Sequence, residues 1–193
     1  MFFGVLQNEG RLSPADWRRI DPACDRLEIE IGPGDCRYLA EAAAQRLDTL
    51  FVGFEMRPST LRSILARGPL PGNVRLLHSD GRWVVENIIG KNSVDAYHVY
   101  FPDSWWKKRH HKRRLFRLAF AEAVAATLKP GAGLYLISDV SMTFADAQKQ
   151  LLRAGLLRLD WQRHNGASGS YERKYRRQGR PLYQARFQRP GPG

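Results

Sequence analysis

Short apolar runs alternate with stretches of helical periodicity along almost the whole chain, the pattern of repeated strand and helix units around a mostly parallel sheet. The first run, Arg26-Leu27-Glu28-Ile29-Glu30-Ile31, closes at Gly32-Pro33-Gly34. Leu39, Ala42, Ala43 and Leu47 then recur at helical spacing and predict a helix over 35–47. A second strand is read at 50–54, stopping at Glu55, and Pro58 suits the opening of a helix over 59–66. A third strand is read at 74–78, ending near Asp80, followed by a short helix at 83–88 and a fourth strand at 94–101.

The longest predicted helix, 110–128, is rich in Ala and Leu and is expected to stop at Pro130-Gly131. A fifth strand over 133–138 ends at Asp139, and a helix over 143–154 succeeds it. Strands are read at 157–162 and 182–187 with a polar loop at 164–170. With no long helix seen between them, they suggest an antiparallel hairpin at one edge of the sheet. The expected fold is therefore α/β: a doubly wound, mostly parallel seven-stranded sheet, helices on both faces, and an antiparallel C-terminal hairpin. At 193 residues the chain suits one core, with a short leading segment 1–25, a domain 26–189 and a disordered tail 190–193.

Charge changes the picture. The formal net charge is +12, and it is unevenly spread. Residues 1–106 hold 12 Lys/Arg against 14 Asp/Glu, whereas 107–193 hold 19 against 5. Such an excess points to a polyanionic partner, and a nucleic acid fits better than one acidic metabolite because many phosphates must be met. No apolar run approaches the roughly 20 residues that span a bilayer, so no membrane association is expected. The start, Met1-Phe2-Phe3-Gly4-Val5-Leu6-Gln7, lacks the features of a signal peptide, which predicts a cytoplasmic protein. Cys24 and Cys36 show no ligand spacing, so two free thiols and no metal are expected.

In a parallel α/β sheet, ligands gather at the carboxyl ends of the strands. Gly32 and Gly34 supply a tight turn and close approach just before a helix N-terminus. Asp35 beside them would repel a phosphate, which disfavours a dinucleotide. Glu55 is placed to accept the hydroxyls of a ribose, and Asp80 an adenine amino group, so that together these positions describe an adenosine pocket. Each of the two carboxylates could equally cap the helix that follows it.

The densest signal is Phe101-Pro102-Asp103-Ser104-Trp105-Trp106-Lys107-Lys108-Arg109-His110-His111-Lys112-Arg113-Arg114. It begins at a strand end that should border the crevice, and aromatic faces can stack on bases while cations hold phosphates. One of the two tryptophans is expected in the core. This segment resembles the signature of the tRNA (guanine-N7)-methyltransferases, a Pro-Asp-Pro-Trp element running into a Lys-Lys-Arg-His-x-Lys-Arg-Arg stretch. Glu28-Ile29-Glu30-Ile31-Gly32, Val52-Gly53-Phe54-Glu55 and Asn73-Val74-Arg75-Leu76-Leu77-His78-Ser79-Asp80 are similar to that family's first three motifs. Ser138-Asp139 and Ser170-Tyr171-Glu172-Arg173-Lys174 are similar to its later ones.

The resemblance implies a Rossmann-like methyltransferase that uses S-adenosylmethionine and acts on tRNA; a monomer is expected. Glu30, Gly32, Gly34, Glu55, Asp80 and Asp103 match positions that contact the cofactor, with Asp103 also at the reacting centre. Lys107, Asp139, Gly169, Ser170 and Glu172 match substrate positions. Asp103, Asp139 and Glu172 would hold the guanine edge as acceptors, and Lys108, Arg109, Lys112, Arg113, Arg114 and Arg173 would hold phosphates. The chain departs from the family in the loop Gly32-Pro33-Gly34-Asp35-Cys36, which commonly carries another glycine, and at Gly169, where the family has Thr. Two other readings stay open: a relative that methylates a small purine-like heterocycle, and an inert RNA-binding protein on the same scaffold.

Overall fold

Every second residue of β1 (Arg26–Ile31) is apolar, and Leu27 and Ile29 enter one core while Glu28 and Glu30 face the other side of the sheet. β2 (Thr49–Glu55) and β3 (Val74–His78) extend the sheet in one direction, and β4 (Val94–Tyr100) and β5 (Leu128–Ser138) in the other, all parallel. β7 (Tyr183–Gln188) inserts antiparallel between β5 and the short edge strand β6 (Leu157–Leu159). The order is β3-β2-β1-β4-β5-β7-β6. This computed structural model describes residues 16, 19–104, 114–163 and 166–191.

Helices cover both faces, as expected. α1 (Arg37–Gln45) and α2 (Pro58–Leu65) lie on one, where Leu39, Ala43, Phe51 and Ile64 form a small core. α3 (Gly81–Asn87), α4 (Leu118–Thr127) and α5 (Ser141–Arg153) cover the other, where Ile29, Val52, Val85, Tyr97, Phe120, Leu136 and Leu151 form the larger core. Cys24 and Cys36 are buried free thiols. Among the described residues no helix is long and apolar enough to cross a membrane.

Four expectations are corrected. The helix read over 110–128 spans only Leu118–Thr127, its part at 110–113 lying outside the described residues. Pro130-Gly131, read as a terminator, lies inside β5. There the register passes from Val94 opposite Leu128 to Ala96 opposite Gly133, so residues 129–132 bulge opposite Asp95 alone. A bulged stretch tolerates a proline because it leaves no ladder hydrogen bond for the missing N–H.

The strand read over 157–162 stops at Leu159. Beyond it the chain leaves the edge to set Trp161 against Tyr135, with ring centroids 4.9 Å apart, and Arg163 over Tyr100 at 4.2 Å. Finally, the two antiparallel strands are joined through a helix that the pattern did not reveal, α6 (Ser170–Arg177). Its sequence, Ser-Tyr-Glu-Arg-Lys-Tyr-Arg-Arg, carries no apolar stripe, because the residue it buries is Glu172.

Candidate functional site

Strand order reverses between β1 and β4, and the carboxyl ends on either side of that point open into two adjoining cavities. The larger, about 580 Å³, is lined by Ile31, Phe54, Met56 and Leu115 together with Glu55 and Asp80. The smaller, about 360 Å³, is lined by Glu30, Gly34, Asp35, Asp139, Gly169, Ser170, Tyr171, Glu172 and Tyr175. Gly32, Arg57, Tyr100, Phe101, Pro102 and Asp103 line both.

The turns that shape this shared wall depart from ordinary backbone. Gly32 and Gly34 hold φ of 71° and 56°, left-handed values that glycine adopts without strain. Cys36, at the departure from the glycine pattern, holds the same conformation at 62° and starts α1. Phe101 does so at 52°, its N–H donating to Ile137 O across 2.8 Å. Left-handed backbone at a bulky residue costs about 1–3 kcal/mol, and the turn it makes carries Pro102 and exposed Asp103 across the strand ends.

The candidate cofactor residues therefore converge. Glu55, 3% exposed, accepts from the Arg57 backbone N–H at 2.9 Å. Asp80 caps α3, accepting from the N–H groups of Arg82 and Trp83 at 2.9 and 3.4 Å, and lines the larger cavity as well. Glu30 is 3% exposed, and its Oε2 has no hydrogen-bond partner. Burial, opposed by Arg163 and reinforced by Asp35, pushes its carboxyl up to about 8. A buried, unmatched acid is costly, and a ligand bringing positive charge would meet it. Carboxylates at both ends and an apolar wall fit a nucleoside joined to a cationic group.

The substrate candidates divide. Asp139, Gly169, Ser170 and Glu172 line the smaller cavity. Ser170 Oγ donates to Asp35, and Gly169 caps α6. Glu172, however, has both oxygens engaged: Arg163 Nη1 donates to Oε2 at 2.7 Å, and Arg176 Nη2 to Oε1 at 2.8 Å. Lys107, Lys108, Arg109, Lys112, Arg113 and both Trp105 and Trp106 lie outside the described residues. Arg114 and Arg173, read as phosphate contacts, are instead paired with Asp146 and with Glu41.

Sequence reasoning missed the aromatic and cationic half of the site. Arg163 lies under the faces of Tyr38 and Tyr100, at 4.7 and 4.2 Å from the ring centroids. Tyr175 meets Phe101 edge to face, with centroids 5.3 Å apart, and stands under Arg180. No motif marks these positions; only the recurrence of Tyr and Arg over 171–180 offered a signal.

The family model described as "Putative methyltransferase" matches residues 25–185. The tRNA (guanine-N(7)-)-methyltransferase of Thermus thermophilus is 36% identical over 165 residues, 83% of this chain and 53% of that protein. The protein of the same name from Myxococcus xanthus is 30% identical over 192 residues, 92% of this chain and 90% of its own. The chain thus spans about half the length of the first relative and nine tenths of the second. Among solved structures, the aminoglycoside resistance methyltransferase NpmB1 superposes with a TM-score of 0.63 at 17% identity, over 93% of this chain and 94% of that one. A variant 16S rRNA (adenine(1408)-N(1))-methyltransferase from Catenulisporales acidiphilia, solved with cosubstrate SAM, reaches 0.62 at 18% identity, over 97% and 96%. At such identities the structural likeness concerns the fold alone.

Proposed function

The chain belongs to the tRNA (guanine-N7)-methyltransferase family, and on that premise we propose that it moves the methyl group of S-adenosylmethionine to N7 of a guanine in tRNA. The observation that carries this reading is the wall of Gly32, Tyr100, Phe101, Pro102 and Asp103 common to two cavities, one suited to an adenosine and the other lined by carboxylates and tyrosines. S-adenosylmethionine, when bound, supplies a methyl group on a sulfonium centre that a nucleophile can attack.

In this reading Glu55 accepts from the ribose hydroxyls and Asp80 from the adenine amino group, while Glu30, ionised by a cationic neighbour, faces the amino-acid end. Guanine N7 carries an available lone pair at neutral pH, so no side chain need remove a proton before attack. What remains is alignment, and holding two reactants in attacking geometry is worth several kcal/mol. Asp103, on the shared wall, orients both partners. Glu172 anchors α6 through Arg163 and Arg176, which leaves Asp139 and Asp103 to accept from the guanine edge.

The exposed cations Lys174, Arg177 and Arg180 on and after α6 then bear phosphates of the RNA strand. One chain brings every described cofactor and base candidate to the two cavities, so the reading needs no second copy, and tRNA places the work in the cytoplasm. Nucleoside analysis of bulk tRNA after incubation with protein and S-adenosylmethionine tests it. N7-methylguanosine should accumulate with the wild type and not with Asp103→Ala, whose circular dichroism should stay native. Transfer to free guanine derivatives but not to tRNA would overturn the RNA assignment.

A further inference from the structure

Arg180, which follows α6, reaches back to the smaller cavity. Its Nη1 donates to Asp139 Oδ2 at 3.2 Å, and its guanidinium carbon stands 4.5 Å above the centre of the Tyr175 ring. Phe101 meets that ring edge on, and Tyr171, half exposed, lies beside it with centroids 6.0 Å apart. Asp139, Phe101, Tyr171 and Tyr175 all line the cavity. A planar, cationic donor group therefore lies on an aromatic face and gives a hydrogen to a carboxylate.

The N1–H and 2-amino group of guanine form a guanidine fragment of the same shape, with donors along one edge. Whatever site satisfies the arginine group offers guanine a face to stack on and a carboxylate to receive its edge. N7 methylation makes the ring cationic, which brings it closer still to the group now in place. Arg180 is about half exposed, and an ion pair in such a setting is screened by water and contributes little, so its displacement costs little.

We propose that Tyr175 is the platform on which the target guanine stacks, and that Arg180 occupies the place of the guanine edge on Asp139 until the base enters. This rests on the methyltransferase reading and names how that site recognises its base. On release the guanidinium swings toward the RNA backbone, exchanging one anion for another. Tyr175 acts through its ring face, so its hydroxyl is dispensable.

The test combines transfer kinetics on tRNA with equilibrium binding of guanosine and 7-methylguanosine. Tyr175→Ala should lower kcat/KM for tRNA about tenfold or more, in line with the loss of one base-stacking contact, with S-adenosylmethionine affinity and melting temperature unchanged. Tyr175→Phe should restore most of that loss. 7-Methylguanosine should bind more tightly than guanosine, and Arg180→Ala should tighten both up to about fivefold by freeing Asp139. Equal transfer by Tyr175→Ala, a Phe variant as poor as the Ala variant, or nucleoside binding unmoved by Arg180→Ala would each overturn the proposal. Nucleoside binding that follows the expected order in a protein inactive on tRNA would sustain the base site and remove the reaction assigned to it.

Discussion

Glu28 and Glu30 leave β1 on the same side of the sheet, yet only Glu28 meets groups that satisfy its charge. Its Oε1 accepts from Arg46 at 2.5 Å and its Oε2 from His98 at 2.8 Å, whereas Oε2 of Glu30 has no partner. Burial raises both, but His98 and Arg46 reverse the effect for Glu28 and hold it at about 2, while Glu30 rises to about 8. One strand thus carries a carboxylate fixed by its partners and, two residues on, a buried carboxyl with an unpartnered oxygen at the cavity wall.

The pH dependence of stability should show the difference. A carboxyl raised to about 8 in the folded chain, from about 4.5, keeps its proton longer than in the unfolded chain. Its stabilising contribution is therefore complete below pH 4.5 and is lost as pH rises through 8. Glu30→Gln cannot ionise, so denaturant unfolding between pH 5 and 8 should fall more steeply for the wild type than for this variant. Identical slopes would show that Glu30 ionises in the folded chain as it does in water.

Cofactor binding should release a proton at neutral pH, because a cationic ligand draws Glu30 into its ionised form. Calorimetry with S-adenosylmethionine at pH 7 in two buffers of different ionisation enthalpy should give different heats, and affinity should rise toward pH 8. Equal heats would remove Glu30 from the charged end of the ligand.

Arg163 and Glu172 form the most buried ion pair of the site, their side chains 8% and 2% exposed. Removing one member of an isolated buried pair costs about 3–5 kcal/mol, reduced here to about 1–3 kcal/mol because Arg176 still holds the other oxygen of Glu172. Arg163→Met should lower the unfolding free energy on that scale, measured by urea titration. A loss below about 1 kcal/mol would mean that α6 is held by other contacts.

Asp80 caps α3, and substitution can separate that cap from the cofactor role proposed for it. Serine caps a helix about as well as aspartate, while alanine loses roughly 1 kcal/mol. Asp80→Ser should keep the melting temperature and weaken S-adenosylmethionine binding; Asp80→Ala should lose both. If Asp80→Ser binds the cofactor normally, the residue is a cap and nothing more.

Lys174 is exposed on α6, whereas Arg114 is tied to Asp146. Lys174→Ala should weaken tRNA binding and reduce the slope of log affinity against log salt by about 1. Arg114→Ala should leave that slope alone, an outcome that a filter-binding series at several salt concentrations would check.

Local pattern was enough wherever a single segment decides its own fate. The period-2 run at Arg26–Ile31 and the continuous apolar run at Thr49–Glu55 became strands almost residue for residue, because burial of one or both faces leaves a mark in the sequence itself. The charge imbalance and the acidic strand ends Glu30, Glu55 and Asp80 were legible for the same reason, since parallel strands deliver their carboxyl ends to one edge whatever else happens. Tertiary structure alone decided that α6 would be a helix, that Glu172 would be spent on Arg163 and Arg176, that Pro130-Gly131 would lie in a bulged strand, and that Arg180 would reach Asp139, 41 positions before it in the chain. Each depends on groups far apart in the chain meeting at short range, and the strength of an ion pair or a ring contact is set by that distance and by the water excluded from it, neither of which is written in the order of residues.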